Sequence, residues 1–417
     1  WSMKKVIVIG AGPAGMMAAS VAARNGAQVI LLEKKERAGR KLNITGKGRC
    51  NITADVDRDT LIKGYPGNGR FLYSAFHEFS NYDLIRFFNE RGLPTKTERG
   101  NRVFPVSDQA GDVVRVLLDN ARQAGVEIRT LTPVQKLLIK DGRITGVVTE
   151  RETLAADAVI IATGGLSYPG TGSTGDGYRW AAQAGHHIVE PRPGLVPLRA
   201  DEPWVKDLQG LSLKNVRAVA YTGAGKKINE DFGEMLFTHF GLSGPIILSM
   251  SHDIGAYLYK NQSPVTIRLD LKPALSEEKL DQRVQRDLDK YARKIFRNSL
   301  GDLLPKKMIP VIIQLSGIDG EKECHQITRG ERLGLVHLLK NLALTVSGTR
   351  PIAEAIVTAG GVDVKEVHPR SMQSKLVAGL FLAGEVLDVD GYTGGYNLQA
   401  AFSTGYLAGK NAALEKI

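Results

Sequence analysis

The residues best suited to chemistry come first in the chain. Gly10-Ala-Gly12-Pro-Ala-Gly15 follows the apolar run Val6 to Ile9 and opens a stretch of small apolar residues, and Glu33 stands 18 residues beyond the last glycine. A GxGxxG alone is a weak signal. Set between a strand and a helix, with an acid closing the next strand, it has the context of a dinucleotide fingerprint. Gly10 permits the tight turn, Gly12 lets backbone reach a pyrophosphate, and Gly15 lets helix and strand pack closely. The helix N-terminus then faces the phosphates, and Glu33 can accept a bond from a ribose.

Four later segments decide which dinucleotide. Arg40-Lys-Leu-Asn-Ile-Thr-Gly-Lys-Gly-Arg-Cys-Asn51 is a basic, Gly-rich loop where an NAD domain would go straight to its next helix. Such a loop can cradle the pyrophosphate and run beside a flavin ring; the alternative is a solvated loop. Ala162-Thr-Gly-Gly165 ends a later strand, and Gly384-Glu385 ends another, with a carboxylate suited to ribityl hydroxyls. Gly394-Gly395-Tyr-Asn-Leu-Gln-Ala-Ala401 opens the last helix, whose amides suit the pyrimidine edge of a reduced flavin. Together they point to FAD. Gly170 to Gly175 is Gly-rich, but no strand leads into it. NADH or NADPH is therefore expected only as a transient reductant.

For the proton that accompanies hydride transfer, His239 in Phe237-Thr-His-Phe-Gly-Leu-Ser-Gly244 is the best side-chain candidate. Its alternative is a histidine that only holds structure. Cys50 in the flavin loop could be the acid or a buried packing thiol. Tyr392 joins these two as a catalytic candidate, and with Arg102 and Tyr168 it could bind an anionic or carbonyl substrate. Each of the three also reads as a loop-packing residue. The histidines and two cysteines show no metal-ligand spacing, and no hydrolase triad is suggested.

GRKLNITGKGRCN, PGNGRFLYSAF, ATGGLSYPGTGSTGDGY, MLFTHFGLSGP and GEVLDVDGYTGGYNLQAAFSTG carry a resemblance over Lys4 to Gly409. The chain resembles a family of bacterial FAD proteins that includes oxo-bile-acid reductases, aminoacetone oxidases and flavin-dependent ribosomal-RNA dihydrouridine synthases. The resemblance implies an α/β fold: a Rossmann-like FAD domain of the glutathione-reductase type, interrupted by an inserted β-barrel-like and helical domain. It also implies FAD contacts at Gly12, Ala14 and Glu33, then at Arg40, Lys41, Thr45, Gly46, Arg49 and Asn51. Further contacts are implied at Val134, Thr163 and Gly164, and at Glu385, Tyr396, Asn397 and Leu398. Lys47 stands where a small residue is usual; it could reach the phosphates or point to solvent.

The elements that must position these residues follow from the pattern. Val6 to Ile9, a helix from Met16 to Asn25 and Val29 to Leu32 form a βαβ unit. Lys34 to Asn51 reads as a loop; Tyr82 to Arg91 and Gln109 to Ala124 read as amphipathic helices. Val126 to Arg129, Val134 to Ile139, Ile144 to Glu150 and Ala158 to Ala162 read as strands, with Asp141-Gly142 as a hairpin turn. The Pro-rich stretch 191–197 reads as a boundary. The expected domains are 3–192 (FAD, first part), 193–356 (insert, helical over about 272–310) and 357–417 (FAD, second part). Trp1 and Ser2 read as an expression remnant and are left out of the fold.

The chain has 417 residues, 43% hydrophobic and 24% charged, which excludes disorder and a disulfide scaffold. No apolar run approaches the ~18 residues of a membrane span, no leader pattern is evident, and the expected address is the cytoplasm. Neither a membrane nor a stable protein partner is expected. The formal charge of +11 favours polyanionic partners. Tyr291 to Lys307 carries Arg293, Lys294, Arg297, Lys306 and Lys307 against one acid, with Tyr291 and Phe296 interleaved. It is a candidate RNA-backbone patch or a solvated face. The resulting expectation is an FAD oxidoreductase that reduces an activated C=C bond, with uridine in ribosomal RNA as the leading substrate. A small-molecule amine or aminoketone oxidase and an enone reductase of the oxo-steroid type are the alternatives.

Overall fold

In the computed structural model, which describes residues 3–414, the first strand lies at the centre of a five-stranded parallel sheet. The order is Leu380–Leu382, Ala158–Ile161, Lys5–Ile9, Gln28–Leu32, Glu127–Arg129. Continuous apolar sequence suits these strands because both faces are covered; Ala158, Val159, Ile160 and Ile161 are all at 0% exposure. Trp1, Ser2 and residues 415–417 lie outside the described residues.

Contacts divide the chain into two units, one running to Gly194 and resuming at Ile352, the other spanning Leu195–Pro351. In the first, the helix Pro13–Arg24 is buried along most of its length, which its Ala and Met residues permit. The last helix, Tyr396–Leu414, lies directly on it: a Cβ on Gly405 would fall 2.4 Å from the Ala14 carbonyl oxygen, and one on Gly409 2.2 Å from that of Ala18. Only glycine permits so close an approach. A three-stranded antiparallel sheet, Val134–Lys140, Arg143–Thr149 and Thr153–Ala155, turns at Asp141-Gly142, both with positive φ, as an Asp-Gly hairpin requires.

The second unit holds a closed antiparallel barrel of six strands, in the order Leu198–Ala200, Gly241–Ser243, Lys227–Phe237, Ser212–Tyr221, Val265–Asp270, Leu342–Thr349. Closure removes sheet edges. Beside these strands run helices Glu277–Lys290, Ile309–Ser316 and Arg329–Lys340, so the helical part reaches well past residue 310. Leu280, Val284 and Leu288 bury one stripe of the first of these helices.

Two local expectations change. The loop over Lys34 to Asn51 contains a helix, Arg40–Ile44, entered through Gly39 (φ +69°). Leu42 is its one buried residue, and five residues are too few to show a periodic signal. The strand Ile188–Pro193 runs into the Pro-rich stretch, paired with Thr358–Val362 and with a register shift between Val189 and Arg192, while the division between the units still falls within the stretch, after Gly194. The prolines hid the strand, since they are tolerated only at strand edges and bulges.

Candidate functional site

Register places the site. Ile9 pairs with both Leu32 and Ile161, and Ile161 with Leu382. The four strands therefore end level, and Gly10, Glu33, Ala162 to Gly164 and Gly384-Glu385 emerge at one carboxyl edge, where open α/β sheets bind ligands.

The glycines divide their work as the fingerprint requires. Gly10 has φ +103°, and a Cβ there would meet the Ala162 carbonyl oxygen at 2.3 Å. A Cβ on Gly15 would fall 1.7 Å from the Gly10 oxygen. Around Gly12 nothing lies within 4 Å of a Cβ, so this residue opens onto free space. Gly12 is the N-cap of the helix, Pro13 begins it, and no side chain caps it. The first-turn amides, Ala14 and Gly15 among them, are thus free for an anion. This cradle fits a dinucleotide pyrophosphate. Glu33 spans the turn: Oε2 accepts from the Ala11 N–H (3.0 Å) and Oε1 from the Lys35 N–H (2.9 Å).

At the same edge Glu385 is the hub of a polar network. Its Oε2 receives Lys41 Nζ (2.7 Å), while Oε1 accepts from the Thr358 N–H (2.7 Å) and Ser167 Oγ (3.2 Å). Lys41 also donates to Ser167 (2.6 Å). Ser167 and Thr358 were missed in the sequence, although Ser167 sits inside one of the quoted motifs. Thr163 Oγ1 is buried without a hydrogen-bond partner, directed at Gly177, where a Cβ would come within 2.1 Å of it. Tyr178 carries a buried hydroxyl, also unpartnered, which burial first and then Glu385 and Asp388 push above its ordinary value. Burial and Asp390 raise Asp388 likewise. Tyr178 and Asp388 also lie inside quoted motifs, but nothing in their spacing marks them as site residues.

The start of the last helix is fixed by amide clips. With its amide turned to satisfy its neighbours, Asn51 donates to the carbonyls of Thr53 (3.0 Å) and Val103 (3.1 Å) and accepts from the Gly395 N–H (3.0 Å). Asn397 holds Gly391 by two bonds of 2.8 Å. The Tyr65 hydroxyl donates to the Tyr396 carbonyl (2.6 Å), and their rings meet edge to face. Leu398 packs on the core, Gly384 lies against Ala14, and Val134 is buried at the start of its strand.

Several residues of the basic loop are already engaged. Arg40 pairs with Glu36 (2.6 Å), and Thr45 donates to the Leu42 carbonyl. Arg49 lies between Glu98 (2.5 Å) and Asp108 (2.7 Å), with its guanidinium 4.1 Å from the Phe104 ring centroid. It holds Glu98 below the usual carboxylate range; Lys96, then Arg49, does the same to Asp108. Gly46 and Lys47 are both left-handed and exposed, so Lys47 stands in solvent.

Among the catalytic and substrate candidates, Cys50 is at 0% exposure, and burial pushes its thiol up to about 12. That matches the packing alternative, since so weak and enclosed an acid is a poor proton donor at neutral pH. Tyr392, half-buried, bonds through its N–H to the Gly64 carbonyl. Tyr168 is left-handed and half-buried, and Arg102 is exposed, donating to the Arg99 carbonyl. His239 belongs to the barrel unit, exposed on the turn between Lys227–Phe237 and Gly241–Ser243 with its ring against Phe240.

The patch over Tyr291 to Lys307 needs correction. Phe296 is fully buried and offers no ring for stacking. Arg297 pairs with Glu321, Lys307 bonds to the Gln209 carbonyl, and Lys294 lies over the Tyr291 ring. Only Arg293 and Lys306 remain as exposed charges without a described partner.

The family described as HI0933-like protein Rossmann domain matches residues 4–411. The chain belongs to this family. Over 414 residues it is 34% identical to the 3-dehydro-bile acid delta(4,6)-reductase of Clostridium scindens, covering 99% of both chains. It is 31% identical over 413 residues to the ribosomal RNA dihydrouridine synthase of Escherichia coli, covering 98% of each, and 32% identical to that of Haemophilus influenzae, covering 96% of each. A 3-ketosteroid delta1-dehydrogenase from Sterolibacterium denitrificans superposes with a TM-score of 0.55 at 14% identity, over 99% of this chain and 100% of that one. The 3-ketosteroid-delta4-(5alpha)-dehydrogenase from Rhodococcus jostii gives 0.54 at 16%, over 99% and 97%. These two show the fold. The chain is an FAD-dependent oxidoreductase, and the cradle around Gly12 accords with that cofactor. Among the described residues no helix is long and apolar enough to cross a membrane, and no group of His, Cys, Asp or Glu could hold a metal ion.

Proposed function

We propose that this flavoprotein reduces uridine to dihydrouridine in ribosomal RNA with electrons from NADH or NADPH. The observation that carries the reading is full-length similarity to two ribosomal RNA dihydrouridine synthases, joined to a formal charge of +11. FAD, when bound, supplies the hydride. The chain's part is to hold and orient. The first-turn amides behind Gly12 would take the pyrophosphate, Glu33 would take the adenosine ribose, and the Lys41–Ser167–Glu385 network would set the edge for the ribityl chain. Saturating the uracil C5=C6 bond adds a hydride at C6 and a proton at C5. His239 and Tyr392 are the proton donors to test first.

Nucleoside mass spectrometry of ribosomal RNA from a strain lacking this gene tests the reading. Dihydrouridine should disappear and return on complementation; an unchanged level overturns it. One second reading has its own support, reduction of an enone in an oxo-steroid, because the bile-acid reductase is 34% identical over 99% of the chain. Both substrates present a C=C bond conjugated to a carbonyl.

Gly170 to Gly175 lies in a loop with one short 3-10 turn, and no strand leads into it. The nicotinamide is therefore expected to dock, deliver its hydride and leave before the substrate enters. Double-reciprocal plots at several NADPH concentrations should be parallel; intersecting lines would show both bound together.

A further inference from the structure

We infer that the solvent face of the helix Glu277–Lys290 is the docking surface for the phosphodiester backbone of the RNA, an inference that rests on the uridine reading above. At about 100° per residue, Lys279, Arg283, Arg286 and Lys290 fall within an arc of about 60°. At 1.5 Å per residue they form a line about 16 Å long. Leu280, Val284 and Leu288 turn the opposite side to the core. The helix also carries Glu277, Glu278, Asp281, Asp287 and Asp289, all outside that arc.

Beside the line opens a cleft of about 610 Å³, to which Lys279, Arg283, Arg286 and Arg332 contribute cations and Asp281 the one acid. That acid is spent: Arg332 Nε bonds Asp281 at 2.6 Å, and Arg332 also donates to Gln285, which fixes its guanidinium in the cleft wall. Arg283 is braced by Asp287 and by the Asp302 carbonyl (3.0 Å), and Lys290 by Asp302 (2.9 Å). Lys279 and Arg286 have no side-chain partner among the described residues. The surface thus offers two free cations flanked by three held in place. Leu275 is the one apolar residue among those lining the cleft and is half-buried, and no aromatic anchor of the kind that dominates protein interfaces lines it. A linear row of Lys and Arg along one helix face, two of them unpaired, is the electrostatic footprint of nucleic-acid backbone. The surface lies on a different stretch of the insert from the patch at Tyr291 to Lys307, whose free cations, Arg293 and Lys306, do not share a helix.

The test uses the FAD-loaded full-length protein and deproteinised ribosomal RNA from the strain lacking this gene. Lys279→Ala/Arg286→Ala should bind about tenfold more weakly near 100 mM salt. The slope of log K against log salt should become shallower by about 1.5, the loss expected for two phosphate contacts. Lys226→Ala/Lys260→Ala, with the same change in net charge, should bind as the wild type does. Both variants should keep the wild-type flavin content and NADPH oxidation without RNA. Wild-type binding with an unchanged Lys279→Ala/Arg286→Ala variant overturns the docking surface and leaves the uridine reading standing. An equal loss in both variants overturns it too, as a mere effect of net charge. Binding of poly-glutamate as tight as that of RNA overturns RNA as the occupant. If the wild type neither binds nor modifies the RNA, both readings fall.

Discussion

Gly12→Asp should yield a folded protein that no longer retains FAD, whereas Gly15→Ala should destabilise the flavin unit itself. The two substitutions sit three residues apart and act through different physics. Gly12 has φ −85°, which any residue adopts, and nothing lies within 4 Å of its added Cβ. An aspartate there costs the fold little, and as an N-cap it is a favoured residue. It places a carboxylate where the pyrophosphate would lie, so like-charge repulsion and lost space should weaken FAD binding by about 100-fold or more, over about 2.7 kcal/mol. At Gly15 the added Cβ lies 1.7 Å from the Gly10 carbonyl oxygen. Relief requires helix and strand to part, an overpacking cost of about 3 kcal/mol. Flavin absorbance after gel filtration and urea unfolding of the apoproteins separate the two. A Gly12→Asp protein that keeps its flavin would place the phosphates elsewhere.

The sheet edge was legible because it is written locally. Gly10, Gly12, Gly15 and Glu33 lie within one βαβ unit, and their spacing carries the geometry without tertiary information. The Lys41–Ser167–Glu385 network was not legible as a network, because its partners are 126 and 344 residues from Lys41. The close seat of the last helix was hidden for a related reason. Gly405 and Gly409 look like weak helix positions until the backbone of Ala14 and Ala18 is known to lie beneath them. Arg49 is expected, from the resemblance, to contact FAD, but its ion pairs could not be read from the sequence. Its partners Glu98 and Asp108 come from a different sheet and the loop after it. Phe296 is counted in the sequence as an aromatic interleaved in the candidate RNA patch; its side chain closes the core of the insert instead.

Removing the Glu385 carboxylate should cost both stability and cofactor, and the ratio of the two losses tells which role is direct. Glu385 and Lys41 are each about a fifth exposed, so their 2.7 Å pair is screened less than a surface pair but is not fully desolvated. Glu385→Ala leaves the Lys41 ammonium with Ser167 alone and strips the Thr358 N–H of its acceptor. Together these should lower stability by about 2–3 kcal/mol, read from the urea midpoint of the apoprotein. Glu385→Gln keeps an oxygen for the Thr358 N–H and Ser167 but loses the charge that holds Lys41, so about half that loss is expected. Lys41→Met should show coupling with it in a double-mutant cycle, since the two share one bond. If Glu385 only braces the edge, FAD affinity should fall in step with stability across the three variants. If its carboxylate also accepts ribityl hydroxyls, Glu385→Gln should lose more affinity than Lys41→Met at equal stability. Loss of affinity greater in Lys41→Met would instead make the ammonium the group that faces the cofactor, with Glu385 as the residue that positions it.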